Sequence, residues 1–196
     1  GIGTTAGLQI TTGDYNVAMG YQALYATTTA DDNVAIGHNA MYVSVNGHSN
    51  VAVGSFALDA NTSASGNVAV GWSALSANTT AGTNTAVGYA ALATNTTGAS
   101  NVAIGASALN LNTTGANNIA IGNNALDANT TGGSAGGNTA IGSGSLGANT
   151  TGSNNLAIGQ VSGYLITTGV SNVAIGNWAL DATTTGTWNI ALGQNA

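Results

Sequence analysis

Few side chains in this sequence could carry acid–base, nucleophilic or metal chemistry. The chain has six aspartates and two histidines, and it has no glutamate, lysine, arginine or cysteine. Asp14 and Asp31 are 17 residues apart, and Asp32 follows directly. If the chain stacks upon itself at that interval, the carboxylates of Asp14 and Asp31 lie about 5 Å apart. Such oxygen ligands suit a calcium ion, and the alternative is a hydrated acidic turn without metal.

The two histidines do not complete a catalytic arrangement. His38 and His48 are ten residues apart, and we expect them at opposite ends of one structural segment, without a paired carboxylate. Catalysis needs acids, bases or nucleophiles that are placed together. We therefore expect no enzyme activity, and no cofactor other than calcium at the acidic residues.

Aromatic residues share the same spacing. Tyr21, His38, Trp72 and Tyr89 follow one another at intervals of 17, 34 and 17 residues. Stacking would place them in one column, whose other members are mostly polar and therefore typical of a solvent-facing position. Exposed aromatic rings on a rigid polar surface can bind sugars, which predicts a glycan or receptor surface. The alternative is that these rings pack on neighbouring turns or between subunits.

One repeat accounts for this spacing. The pentapeptide N-[VTIL]-A-[IVML]-G occurs eleven times, beginning at Asn16, Asn33, Asn50, Asn67, Asn84, Asn101, Asn118, Asn138, Asn155, Asn172 and Asn189. Every interval is 17 residues except that from Asn118 to Asn138, which is 20. We expect the three extra residues in a surface loop within residues 132–137, where an insertion costs little.

The repeat predicts a β-solenoid. Numbered from its asparagine as positions 1 to 17, the unit reads N-V-A-I-G-x-x-A-L-x-x-N-T-T-G-x-x. Its β-branched start favours a short strand, whereas its glycines and Asn-Thr-Thr disfavour a helix. About twelve stacked coils, the first and last incomplete, predict an all-β parallel β-solenoid forming one domain over residues 1–196. The leading asparagines would form a ladder, and the incomplete ends indicate a segment of a longer chain.

Alternation along the strand predicts two packed faces. Asn33, Ala35 and Gly37 would share one face, and Val34 and Ile36 the other. Because position 3 is alanine in all eleven motifs, we expect the alanine column to point outward against a partner. The simplest partner is another copy of the chain, and we favour three rolls around an axis, with a monomer as the alternative.

A compensating exchange indicates which positions reach the interior. In two coils, position 9 becomes Gly7 or Gly163 while position 12 becomes Ile10 or Ile166. The usual leucine is lost and an isoleucine is gained, so the apolar volume is conserved, as packed interiors require. Positions 9 and 12 are therefore expected to reach the same core.

The Asn-Thr-Thr segment has two further interpretations. Regular threonine ranks on a flat solenoid are typical of ice-binding proteins, but adjacent threonines point to opposite faces, whereas ice binding needs a T-x-T arrangement. A following glycine makes the segment resemble a turn whose Asn and Thr bond the local backbone. The triplets are also formal N-glycosylation acceptors, a pattern that we expect to be incidental.

Composition excludes several classes of partner. Without lysine or arginine, and with a formal net charge of −6, the chain cannot neutralise phosphates, which argues against nucleic-acid binding. Polar Asn, Thr and Gly interrupt every apolar stretch well before the roughly 18 residues of a membrane span, so membrane insertion is not expected.

The repeat resembles two known families. The string N-V-A-I-G-x-x-A-L is similar to the head repeats of trimeric autotransporter adhesins. It resembles still more closely the N-T-A-V-G-Y-x-A-L repeats of bacteriophage tail fibres, best matched by residues 84–92 (NTAVGYAAL) and 17–24 (VAMGYQAL). The resemblance covers essentially the whole chain. It implies a left-handed parallel β-roll, a homotrimer, and a place on a virion or a cell-surface appendage.

These observations together predict a structural role. We expect a rigid shaft or head segment of an extracellular fibre or adhesin, with a cell-surface glycan or receptor as a further partner. The alternatives are an ice-binding solenoid and a self-assembling extracellular filament subunit.

Overall fold

A single parallel sheet dominates the fold. The computed structural model describes residues 1–129 and 136–196. Eleven strands pair in sequence order, each with the next. They are β1 (Val17–Met19), β2 (Val34–Ile36), β3 (Val51–Val53), β4 (Val68–Val70), β5 (Thr85–Val87), β6 (Val102–Ile104), β7 (Ile119–Ile121), β8 (Thr139–Ile141), β9 (Leu156–Ile158), β10 (Val173–Ile175) and β11 (Ile190–Leu192). The predicted parallel β-solenoid is confirmed.

The register places equivalent residues directly above one another. Ala18 pairs with Ala35, for example, and every later rung keeps the same alignment. An isolated parallel bridge from Ile2 to Met19 adds the first, incomplete coil. Ala120 still pairs with Ala140 across the longer interval. The insertion predicted within residues 132–137 lies mostly outside the described residues. At its end, the backbone N–H of Gly137 donates to the carbonyl of Ala116 (3.2 Å).

No strand in this sheet is longer than three residues, and turns and bends connect the strands within the described residues. Across residues 1–129 and 136–196, no helix is long and apolar enough to cross a membrane.

The asparagines at position 1 tie each coil to itself and to its neighbour. The Oδ1 of Asn84 accepts the backbone N–H of Asn101 in the following coil (2.9 Å). The Nδ2 of Asn84 donates to the carbonyl of Gly98 (3.0 Å), near the end of its own coil. The backbone N–H of Asn84 in turn donates to Asn67 Oδ1 (2.9 Å). This closure ladder repeats from Asn16 to Asn189, so the expected asparagine ladder is confirmed.

A second ladder lies at position 12, in the Asn-Thr-Thr segment. The Nδ2 of Asn95 donates to Gly98 three residues on (2.9 Å) and to Asn78 Oδ1 in the previous coil (3.1 Å). Asn112 repeats both bonds with Gly115 and Asn95. These asparagine side chains are fully buried. Asn-Thr-Thr is therefore a turn whose asparagine bonds the local backbone, as the sequence predicted.

The interior is formed by alanine and leucine, and the expected orientation of the alanine column is wrong. The position-3 alanines are buried inside one chain, together with the alanines at position 8 and the leucines at position 9. The coil is too narrow for a larger residue there. A Cβ built on Gly163 at position 9 would lie 3.6 Å from the Ala157 Cβ at position 3. Methyl groups fill that gap, so the β-branched residues at positions 2 and 4 point outward.

The exchange between positions 9 and 12 confirms that both reach this core. Ile166 is fully buried. Its Cδ1 lies 3.0 Å from where a Cβ of Gly163 would stand, and Leu146 Cδ2 lies 3.2 Å from the same point. The isoleucine of position 12 thus occupies the space that a leucine of position 9 fills in other coils.

Each coil contains backbone conformations that side chains disfavour. Position 9 is a leucine with a φ near +50° in most coils, such as Leu75 (φ 53°) and Leu92 (φ 53°). The left-handed region costs a residue with a side chain roughly 1–2 kcal/mol. Burial of the leucine side chain, worth about 1.5–3 kcal/mol, offsets that cost. The glycine at position 5 has a φ near +130°, as in Gly71 (135°), which is open essentially to glycine alone.

Replacement of one asparagine tests the closure ladder. Asn84→Ala should lower the free energy of unfolding by about 2 kcal/mol, because the buried Asn101 N–H loses its acceptor and the Gly98 carbonyl keeps only the bond from Asn95. Asn123→Ala is the matched control, since Asn123 is exposed and donates only a long bond to Ala106 (3.3 Å). Urea unfolding measures both variants, and equal losses would contradict the role of the ladder.

Replacement of one glycine tests how closely the coils approach. A Cβ on Gly88 would lie 2.5 Å from the Gly105 carbonyl oxygen at a φ of +140°. Gly88→Ala should therefore cost more than about 4 kcal/mol or abolish folding. Gly66→Ala, at a φ of +70° with no atom nearer than 3.7 Å, should cost only about 1 kcal/mol. Thermal unfolding followed by circular dichroism separates the two, and similar melting temperatures would refute the close approach.

Candidate interaction surfaces

The outward side of the sheet is a largely apolar surface. We call it the apolar sheet face, defined by the side chains at positions 2 and 4 of strands β1 to β11. All of these are Val, Ile, Leu or Met except Thr85 and Thr139. None is buried in the single chain, and the exposed fractions include 48% for Val17 and 36% for Ile121.

The area of this face can be estimated from the spacing of its strands. Eleven strands at the spacing of a sheet extend over roughly 50 Å, and a width of about 10 Å gives an area on the order of 500 Å². That value lies near the upper limit of the largest apolar patches on monomeric proteins, which often mark interaction sites. The residues of the face carry no charge, so nothing on it opposes contact with another apolar surface.

Aromatic rings form a continuous row beside this face. Tyr21 stacks on His38 with ring centroids 5.2 Å apart, and Trp72 stacks on Tyr89 at 4.9 Å. Phe56 joins the two pairs through edge contacts to His38 (5.1 Å) and Trp72 (6.5 Å). We call these five residues the aromatic ladder. The sequence prediction brought four of them together correctly and missed Phe56, because Phe56 occupies position 7 rather than position 6.

The ladder leaves ring edges more than ring faces available to a ligand. Its rings stack along the solenoid, so neighbouring rings contact the faces on which a sugar would lie. Tyr89 is 58% exposed and Trp72 is 47% exposed, which keeps their edges accessible. Sugar binding by Tyr21, His38, Trp72 and Tyr89 stays a prediction, and the stacking favours the alternative of packing between turns or subunits.

Aromatic residues at position 10 pack on neighbouring coils. Tyr25 and Tyr42 stack with centroids 5.3 Å apart. Tyr164 lies over Gly147, where an added Cβ would meet the Tyr164 ring at 2.6 Å. These rings therefore belong to the structure of the coil surface.

The expectation that neither histidine has a carboxylate partner is wrong for His48. Its Nδ1 lies 3.7 Å from Asp31 Oδ2 and accepts the backbone N–H of Asp31 (3.0 Å). Asp31 and His48 both lie at position 16, in the turns formed by positions 14 to 17 of two successive coils. Stacking of the coils brings these turns together at an exposed corner rather than in a cleft.

The predicted calcium ligands lie at the same corner. Asp31 Oδ1 accepts the backbone N–H of Asp14 (2.7 Å), and the Asp32 N–H donates to the Asp14 carbonyl (3.1 Å). Among the described residues, no group of three or more histidines and acidic residues is placed to hold a metal ion. Calcium binding by Asp14, Asp31 and Asp32 stays a prediction without such a group to support it.

The threonine ranks expose a single column. At position 13 the hydroxyls donate to the next coil, as Thr79 does to Thr96 (3.3 Å) and Thr96 to Thr113 (3.0 Å). Threonines at position 14, such as Thr80 and Thr97, are exposed. One free column does not provide the paired ranks of a T-x-T surface. The asparagines of the triplets, being buried, are also poor acceptors for a glycan.

Comparison with known proteins gives no identification. No protein-family model matches the chain, and neither a curated protein nor a solved structure matches it. The similarity of the repeat to those of tail fibres and adhesins therefore rests on the motif alone.

Half-buried carboxylates predict an unusual dependence of stability on pH. Desolvation raises the pKa of Asp59 and of Asp127 above the ordinary value, an effect partly opposed by nearby backbone N–H groups. Because the folded state binds these protons more tightly than the unfolded state, their contribution is fully present below about pH 4 and is lost as the pH rises through the folded pKa. Asp59→Asn should therefore flatten the fall in melting temperature between pH 4 and pH 7.

The matched control is Asp32→Asn, which removes the same charge from an exposed position. Melting temperatures at half-unit intervals of pH measure both variants. An unchanged pH profile for Asp59→Asn, or an identical change for Asp32→Asn, would contradict the desolvation of Asp59.

Proposed function

We propose that this protein is a structural segment of an extracellular fibre, and that its solenoids associate side by side through the apolar sheet face. The observation that carries the proposal is the outward orientation of the Val and Ile columns. A sheet covered on both sides is the usual state of parallel strands. One side is covered by the core of the chain, and a second copy supplies the cover for the other.

A copy of the same chain suits this face better than a different partner. The face is uncharged and periodic, so an identical face matches it in spacing along its whole length. If the side chains that border the face are included, the surface measures roughly 50 Å by 20 Å, on the order of 1,000 Å² per copy. Stable interfaces bury about 800 Å² per partner, so the available area is sufficient.

The construction of the coil supports a mechanical role. Successive coils are bonded through their strands and their closure asparagines, and several are also bonded through the position-12 asparagine, so neighbouring coils have little freedom to separate. Repetition of one unit gives length without a larger core, as in other solenoids. We place three parallel copies, left-handed in winding, around a common axis, on a virion or a cell-surface appendage.

A charge placed in the face tests this proposal. Val70→Lys, on strand β4 of the apolar sheet face, should convert the oligomer into a monomer, because association would bury an unpaired ammonium group. Ser63→Lys introduces the same charge on an exposed turn away from the sheet and should leave the oligomer intact. Light scattering coupled to size exclusion gives the mass, and circular dichroism verifies the fold.

Two results would count against the proposal. One is an unaltered oligomer for Val70→Lys at micromolar concentration. The other is equal dissociation by Ser63→Lys, which would attribute the effect to net charge rather than to the apolar sheet face.

A further inference from the structure

The sequence contains a single Asn-Gly dipeptide, Asn46-Gly47, at positions 14 and 15 of its coil. Position 14 is threonine in most coils, so Asn46 interrupts the threonine rank. The side chain of Asn46 is exposed, whereas nearly all asparagines of the two ladders are buried. The fold therefore leaves in water the one asparagine that a glycine follows.

The side-chain amide of Asn46 is held by its oxygen and not by its nitrogen. Its Oδ1 accepts the hydroxyl of Thr29 in the previous coil (2.8 Å). Its Nδ2 donates no hydrogen bond within the described part of the chain, whereas Nδ2 of the ladder residue Asn33 donates to the Gly47 carbonyl (2.8 Å). A hydroxyl at Oδ1 stabilises the negative charge that develops on this oxygen when Cγ is attacked. The amide nitrogen has no bond to break before it leaves.

The backbone nitrogen of Gly47 is available as the nucleophile. It lies four covalent bonds from Asn46 Cγ, so the attack is an intramolecular ring closure with a high effective concentration. Its N–H donates to no acceptor among the described residues. In the next coil, the N–H of Ala64 at the same position donates to Asn61 Oδ1 (3.0 Å). The coil of Gly47 has Ser44 in place of that asparagine, and the buried Ser44 hydroxyl makes no hydrogen bond.

We propose that Asn46-Gly47 is a site of spontaneous deamidation in the folded protein. The Gly47 nitrogen forms a bond to Asn46 Cγ, the Cγ–Nδ2 bond breaks, and the proton of the N–H leaves with Nδ2 as ammonia. A water molecule then opens the five-membered imide at either of its two carbonyl carbons. The products are aspartate and isoaspartate at residue 46. This inference is independent of whether copies of the chain associate.

The isoaspartate product acts on the closure of the coil. Its backbone runs through the former side chain, which adds one carbon atom to the chain just before Gly47. The carbonyl of Gly47 accepts Nδ2 of Asn33, the bond that closes this coil. On the other side, the N–H of Asn46 is fixed to the carbonyl of Thr62 (3.0 Å). The extra atom therefore displaces the Gly47 carbonyl from Asn33 and weakens the closure ladder at one coil.

Peptide mapping by mass spectrometry tests the site in the unmodified full chain. After incubation of the folded protein in mildly alkaline buffer, residue 46 should be converted, with isoaspartate identified by its specific methyltransferase. The exposed Asn123 and Asn154, each followed by another asparagine, should stay intact, because a side chain on the following residue hinders ring closure. A folded chain that stays intact at Asn46 while the urea-unfolded chain reacts there would overturn the inference.

Two substitutions at position 14 provide a matched loss and gain. Asn46→Thr restores the residue of most other coils and should abolish the reaction with the fold unchanged. Thr97→Asn should create a second reactive site, because Thr97 is exposed, Gly98 follows it, and Thr80 lies at the same position of the preceding coil. The N–H of Gly98 also donates no hydrogen bond. A folded Thr97→Asn chain that stays intact at residue 97 would contradict the inference, since this turn repeats the features on which it rests.

The effect on closure has its own readout. Anion exchange separates the modified chains from the unmodified chain by their additional negative charge, and the two products are then resolved from each other. The isoaspartate form should unfold at a lower temperature than the aspartate form, because only isoaspartate lengthens the backbone before Gly47. Equal melting temperatures for the two forms would refute the effect on the closure ladder.

Discussion

The closure of each coil by its leading asparagine is the constraint on which the rest of this structure depends. A single side chain joins the start of a coil to its end, as Asn84 does to Gly98, and accepts the backbone N–H of the following coil. Such a residue must be short, must both donate and accept, and must lie at one fixed place in the repeat. The recurrence of asparagine at position 1 follows from that requirement, because the side chain has to reach both the end of its own coil and the start of the next.

Closure at this length makes the coil narrow, and the narrowness decides which residues face inward. Only a methyl group fits between the strand and the opposite turn, so alanine is buried and the larger Val and Ile side chains are displaced to the outside. A globular domain buries its β-branched residues in its own core. This chain instead presents them as a surface along its whole length, and it is through this surface that we propose copies of the chain associate.

Periodicity alone predicted the parallel solenoid, the asparagine ladder and the exchange of Gly163 with Ile166, because all three depend on residues that recur at fixed intervals. It did not decide the orientation of the strand. Alternation places Ala35 on one side of the strand and Val34 and Ile36 on the other, but it does not determine which side points inward. That orientation depends on the distance across the coil. Periodicity also did not predict that Phe56 belongs to the aromatic ladder. Its ring reaches the aromatic column from an adjacent position with a positive φ, and the only sign in the sequence was the gap left by Ser55.

The central claim is that the apolar sheet face is covered by further copies of the chain in solution. Sedimentation equilibrium of the unmodified protein over a range of micromolar concentrations tests it most directly. The account predicts a single species at three times the chain mass of 18.8 kDa, together with weak binding of a dye that reports exposed apolar surface. A mass of one chain at every concentration, with the fold intact, would contradict it.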